Sequence, residues 1–128
     1  MAIGFGRQET YVGLSAVADL SAKQYHIVRL SGLNQVNQAS LGTDSAIAGV
    51  LQTKPTSGQA AVVAYAGETK LVAGGTITAN DILTSDSSGR AVTVASGQIA
   101  VARARTAGAA GDEMSAWLFP PVRWAGAA

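Results

Sequence analysis

AIAGVLQT (46–53), KPTSGQ (54–59) and AAVVAYA (60–66) follow one another without a break, and their reading decides the fold class. Two short apolar runs, each with β-branched residues, flank a segment whose Pro55, Ser57 and Gly58 mark a loop. That is the pattern of two strands and a turn. The same grammar extends in both directions. YHIVRL (25–30) sets Tyr25, Ile27 and Arg29 on one face and His26, Val28 and Leu30 on the other, so both faces carry apolar side chains to cover. TKLVA (69–73) and TITANDILT (76–84) read as strands joined by a Gly74-Gly75 turn. SDSSG (85–89) is a turn cluster in which Asp86 bonds its own backbone before RAVTV (90–94). QIAVARART (98–106) alternates Ile99, Val101, Arg103 and Arg105 against Ala100, Ala102 and Ala104. SAWLFPPV (115–122) is a last strand expected to stop at Pro120-Pro121, because proline offers no N–H to a ladder.

Strands at intervals of about 8–12 residues argue an all-β chain, a barrel or a sandwich. No window of about ten residues holds a helical period, and Gly13 to Ala22 leaves room only for a short turn. A weak internal repeat accompanies the strands. IAGVLQT, KPTSG and AAVVAY are matched by IAVARART, AGAAG and the strand with Trp117 and Phe119, as two similar hairpins would be.

A chain of 128 residues fits one domain with a self-sufficient core. There is no cysteine, so neither a disulfide nor a thiolate metal site exists. Charged residues make up only 13%, while apolar types reach 48%, with 25 alanines and 15 glycines. Small residues of this kind build thin, close-packed layers. A surface so poor in charge is expected to be covered in part by neighbouring chains; a monomer coated in Ser, Thr, Gln and Asn is the plainer alternative. The net charge is +1 and the basic residues are scattered, Arg103 and Arg105 forming the one tight pair. This is not the footprint of a nucleic-acid binder. The longest apolar run, Ala60 to Ala66, is far short of a membrane span, and Arg7 and Glu9 interrupt any signal-peptide core.

The search for chemistry returns no catalytic, metal or cofactor residues. The single histidine, His26, has no nucleophile-elbow motif beside it. Asp112 and Glu113 are adjacent, which on a strand points them to opposite faces. SDSSGR lacks the ligand spacing of a calcium loop, and neither Gly4-Phe5-Gly6 nor GETK (67–70) is a phosphate loop. A non-enzymatic binding or structural role is expected.

The aromatics carry the positive signal. Phe5, Tyr11, Trp117, Phe119 and Trp124 lie near the two ends of the chain, among small residues. Together with Arg7 they are the candidate anchors for a capsid or subunit interface. Trp117 and Phe119 share one face of a strand, and filling the core is the alternative for these two. Residues 1–22 read as an N-terminal arm ordered by lying on something else, or as a strand packed on its own domain. Residues 23–128 form the β-barrel domain with a short C-terminal tail.

At residues 46–119 the chain resembles the capsid decoration, or head cement, proteins of tailed bacteriophages. The carrying pieces are AIAGVLQT, GGTITANDILTSDSSGRAV (74–92) and IAVARARTAGAAGDEMSAWLF (99–119). They contain an I-x-A-x-D-x-L segment, an acidic-glycine turn and a final Gly111-Asp112 turn into a closing strand. Asn80, where a glycine is common, and the long N-terminal arm depart from the family pattern. The resemblance implies a small antiparallel β-barrel or β-tulip with an extended N-terminal arm. It implies attachment to the major capsid protein on the outside of an icosahedral shell, as a homotrimer that stabilises the shell. Composition and the empty search for chemistry, apart from the resemblance, give the expectation of no cofactor, no nucleic acid and no membrane as partner. Two rival readings are another virion assembly protein, such as a fibre or baseplate component, and a sugar-binding β-module. The second follows from the likeness of ITANDIL (77–83) to antifreeze-like modules and would need a convergent polar pocket.

Overall fold

The structure is a computed structural model that describes residues 8–40 and 46–124. Among the described residues there are nine strands and no helix. They are β1 (Gln8–Ala16), β2 (Ile27–Leu30), β3 (Gln35–Gln38), β4 (Ile47–Leu51), β5 (Ala60–Val72), β6 (Ile82–Ser85), β7 (Ala91–Thr93), β8 (Ile99–Ala104) and β9 (Glu113–Arg123). The strand order is β1-β3-β2-β4-β5-β9-β8-β6-β7, and a further pairing of β1 with β5 closes the first five strands into a small barrel. The all-β, barrel expectation therefore holds.

β5 is the wall that the barrel shares with the rest of the sheet. Its first half pairs with β1 and β4, while Gly67 to Val72 pair with β9. The expected AAVVAYA and TKLVA strands are thus one 13-residue strand. Gly74-Gly75 is not a hairpin turn, because β5 and β6 do not pair; Gly74 instead donates its N–H to the Ala91 carbonyl at 2.7 Å.

Two apolar clusters form on opposite faces of the shared wall. Val28, Val36, Ala48, Leu51, Ala61 and Val63 fill the barrel together with Ala16 and Leu20. Their chain neighbours Ile27, Ile47, Val50 and Ala64 point the other way and pack against Leu71, Leu83, Val101, Met114 and Leu118. All five residues of β4 are buried. A strand covered on both faces reads as a continuous apolar run rather than an alternation, which is why 46–66 looked as it did.

Residues 8–16 form β1, a barrel strand packed on its own domain, and Leu20 follows it into the core, so for this stretch the arm reading gives way to the packed-strand one. β1 runs antiparallel along β5 from Gln8 to Ser15, and Ser15 and Ala16 pair in parallel with β3. Leu14, Ala16 and Leu20 supply apolar side chains to the barrel core, so without β1 the barrel could not close. Two bulges interrupt the β1–β5 ladder, one of them at Gly13, whose φ of +82° favours glycine. Such bulges add the bend that a barrel of few strands requires. Phe5 and Arg7 lie outside the described residues.

The prolines of β9 do not end the strand, which continues to Arg123. Ala102 pairs with Leu118 and Ala100 with Val122, so residues 119–121 of β9 face Val101 alone. Pro120 and Pro121 sit in that bulge, where no ladder N–H is needed.

A second internal correspondence is clearer than the hairpin repeat. Thr78–Asp81 and Ala109–Asp112 form matching turns with positive φ at Asn80 and Gly111. Asp81 Oδ2 accepts the Thr78 N–H at 2.9 Å, and Asp112 Oδ2 accepts the Ala109 N–H at 3.0 Å. The Ala104 N–H bonds the Asp81 carbonyl as the Ala73 N–H bonds that of Asp112, and Ile77 and Gly108 exchange both hydrogen bonds where the two copies meet. Asn80 therefore does in the first turn what Gly111 does in the second, since asparagine tolerates the left-handed region.

Gly49 marks where the two-sided wall is tightest. A Cβ there would collide with the Ala64 carbonyl oxygen, a backbone atom that cannot swing aside. Gly49→Ala is expected to destabilise the domain by about 3 kcal/mol, the upper part of the range for overpacking. Equilibrium denaturation checks this; a midpoint equal to that of the original chain would contradict the packing described.

Candidate functional site

Met114, Ala116 and Leu118 of β9 point inward and are buried, so the alternate residues Glu113, Ser115, Trp117 and Phe119 face outward. This corrects the core reading of Trp117, which is 44% exposed; Phe119 is half-buried and lies in the bulge opposite Val101. In a sheet, directly opposed residues share a face. Glu68 of β5, Trp117 of β9, Arg103 of β8 and Ile82 of β6 form one such row across four strands. Lys70 and Ser115 oppose each other one step along.

The row is held in place by charge. Arg105 forms an ion pair with Glu68, and its guanidinium carbon lies 5.8 Å from the centre of the Trp117 ring. A guanidinium over an indole is a favourable cation–π pair, so Trp117 is positioned rather than free to rotate. Arg103 is exposed and makes no ion pair among the described residues.

Beside this row lies a cavity of about 260 Å³ lined by Gln8, Tyr25, Gln52, Glu68, Thr69, Lys70 and Ser115. Its back wall is a glutamine chain. Gln8 Nε2 donates to Gln52 Oε1 at 3.0 Å, and Gln52 Nε2 donates to Thr69 Oγ1 at 2.9 Å. These amides tie β1 to β4 and β5. Tyr25 has a φ of +66°, a rare conformation for a bulky residue. It is held there by its N–H to the Leu51 carbonyl (2.7 Å) and by its own carbonyl, which accepts from Val72 (3.0 Å). The Lys70 ammonium sits 6.0 Å from the centre of its ring. Local backbone strain of this kind persists where the surroundings over-determine it.

The other candidate anchors are dispersed. Tyr11 is 42% exposed and stacks on Tyr65 with ring centres 4.5 Å apart. Trp124 is half-buried, and its backbone is tied to Gln98 and Gly97 at the start of β8. The structure thus brings Trp117 together with Arg103, Arg105, Lys70 and Tyr25, which the sequence did not group. The Arg103–Arg105 spacing was the one visible sign of them. Leu33, in the β2–β3 turn, is 87% exposed and had no sequence signal.

No group of three His, Cys, Asp or Glu able to hold a metal occurs among the described residues. His26 lines a second cavity with Ser21, Gln24, Lys54 and Glu113, and its Nδ1 lies 3.2 Å from the Gln24 carbonyl oxygen.

No known protein family and no curated protein matches the sequence. Among solved structures, the N-terminal base of head fiber gp8.5 of bacteriophage phi29 superposes with a TM-score of 0.67. The match covers 87% of this chain and 93% of that one, at 16% sequence identity. The fold is shared with a phage head fiber base.

Burial, helped by the positive charges of Lys23 and Arg90, holds His26 below its ordinary value of 6.5 against the opposing pull of the Gln24 carbonyl and Asp86. The folded chain therefore binds this proton less readily than the unfolded chain, and stability is lost as pH falls through and below 6.5. His26→Gln removes that component. Melting temperatures measured from about pH 7.5 to about pH 5 should fall more steeply for the original chain than for the variant; equal slopes would contradict the assignment.

Proposed function

We propose that the protein is a structural component of a tailed-phage virion that attaches to the outer surface of the head and stabilises it, as a head cement protein does. The fold shared with a head fiber base, over nearly the whole of both chains, is the observation that carries this reading. The resemblance of residues 46–119 to capsid decoration proteins supports it independently. The charge-poor composition and the outward Trp117, Phe119 and Tyr11 fit a protein whose surface is covered in an assembly.

In this reading the partner is the major capsid protein, and the protein is a homotrimer on the shell. A shell presents the same site many times, so modest affinity per contact gives firm attachment once several subunits are linked. The neighbour's own description favours one second reading, that the barrel is the base of a fiber that projects from the head.

The direct test mixes the purified protein with heads assembled without it. The expected result is co-sedimentation with the heads, a saturating number of copies and greater resistance of the shell to heat. Failure to sediment with intact heads would end the proposal, and thin projections above the bound barrel in electron micrographs would favour the fiber reading.

A further inference from the structure

The outer face around Trp117 holds its charges in balance. Lys70, Arg103 and Arg105 lie on it with Glu68 and Glu113, and Glu9 of β1 stands opposite Ala66. Such a face selects no ion of either sign. What it offers instead is a matched set of hydrogen-bond donors and acceptors beside an exposed aromatic ring. Of the residues lining the 260 Å³ cavity, Lys70 only donates and the Glu68 carboxylate only accepts, while the hydroxyls of Tyr25 and Ser115 do both. Gln8 uses its amide hydrogens on Gln52 Oε1 and the Glu68 carbonyl, and Gln52 uses its own on the Val50 carbonyl and Thr69 Oγ1. Both amide oxygens keep room to accept a further bond.

We propose that Trp117 and this cavity form a binding site for a neutral sugar, a pyranose whose C–H face lies on the indole and whose hydroxyls enter the cavity. Two lining residues tie the cavity to the ring: Glu68 lies directly opposite Trp117, and Ser115 is two residues before it on the same face of β9. Each sugar hydroxyl both donates and accepts, so a polyol can satisfy donors and acceptors of both kinds at once. Its C–H groups suit the negative face of an aromatic ring. A charged ligand does worse, since an acid meets Glu68 and a base meets Lys70. The cavity lies just under the range of about 300–1,000 Å³ that holds drug-sized ligands, which fits one sugar ring. The site is also ordered in advance, which lowers the cost of binding. Arg105, paired with Glu68, holds the indole, and two backbone hydrogen bonds hold Tyr25. This site goes beyond head attachment and does not depend on it. Of the outward aromatics, it takes Trp117 out of any contact with a shell and leaves that ring open to solvent.

The test titrates full-length, isotope-labelled protein and follows it by NMR. The probes are the methyl glycosides of glucose, galactose, mannose and N-acetylglucosamine, with cellobiose, lactose and chitobiose. Glucosamine and N-acetylneuraminic acid serve as charged counterparts. At least one neutral sugar should shift the Trp117 indole N–H and the amides of Glu68, Lys70 and Ser115, saturably, with a dissociation constant on the order of 1 mM. The Trp124 indole should not move, and added salt should leave the affinity unchanged. Trp117→Ala should weaken binding about tenfold, and Lys70→Met about fivefold. Both positions are exposed, so melting temperatures should stay near that of the original chain; if Trp117→Ala melts early, Lys70→Met carries the test. No shift at these residues with any neutral sugar at concentrations on the order of 100 mM would overturn the proposal. So would folded variants that bind as tightly as the original chain, or a charged sugar that binds at least about tenfold tighter than every neutral one.

Discussion

A wall of strands buried on both faces governs the rest of this structure. β2, β4 and β5 separate two apolar clusters, and each residue along them must fit one side or the other. Interiors pack at near-crystalline density, so two cores within a chain of this size demand thin layers. Ala48, Ala61 and Ala64 take positions where a larger side chain would force the layers apart, and Gly49 takes one where even a methyl group meets backbone. The high alanine and glycine content is therefore a consequence of architecture.

The acidic turns do the complementary work of joining the two halves. Asp86 holds the β6–β7 turn by accepting N–H groups from Ser88 and Arg90, and the turn delivers the Gly89 carbonyl to the Ile27 N–H at 2.6 Å. That contact links the outer strands to the barrel at the start of β2. Asp81 and Asp112 stabilise matching turns on either side of the Ile77–Gly108 bridge. The outer face of β5, β9 and β8 carries Lys70, Arg103 and Arg105 together with Glu68 and Glu113, and a tryptophan held by Arg105.

Much of this was legible in the sequence, and the failures have physical causes. The run 46–66 announced strands because apolar β-branched residues between turn formers have few other outcomes. Asp86 was read correctly because an Asx turn is a local event. The detached-arm reading of residues 8–22 failed because Leu14, Ala16 and Leu20 find their partners in β3, β4 and β5, far along the chain. Pro120-Pro121 misled because a strand can carry prolines inside a bulge, and a bulge depends on its neighbour's register. The cluster around Trp117 was invisible for the same reason. Glu68, Lys70, Arg103 and Trp117 meet only through the pairing of β5, β9 and β8.

The role proposed for this protein is supported by its fold and by the aromatic side chains it exposes. The proposal places the protein on the outside of a phage head because its fold is shared with a phage head fiber base. The most direct measurement is a cryo-electron microscopy reconstruction of heads saturated with the protein. The account predicts barrel-shaped density on the outer surface, repeated with the symmetry of the shell. Heads without added density would contradict it.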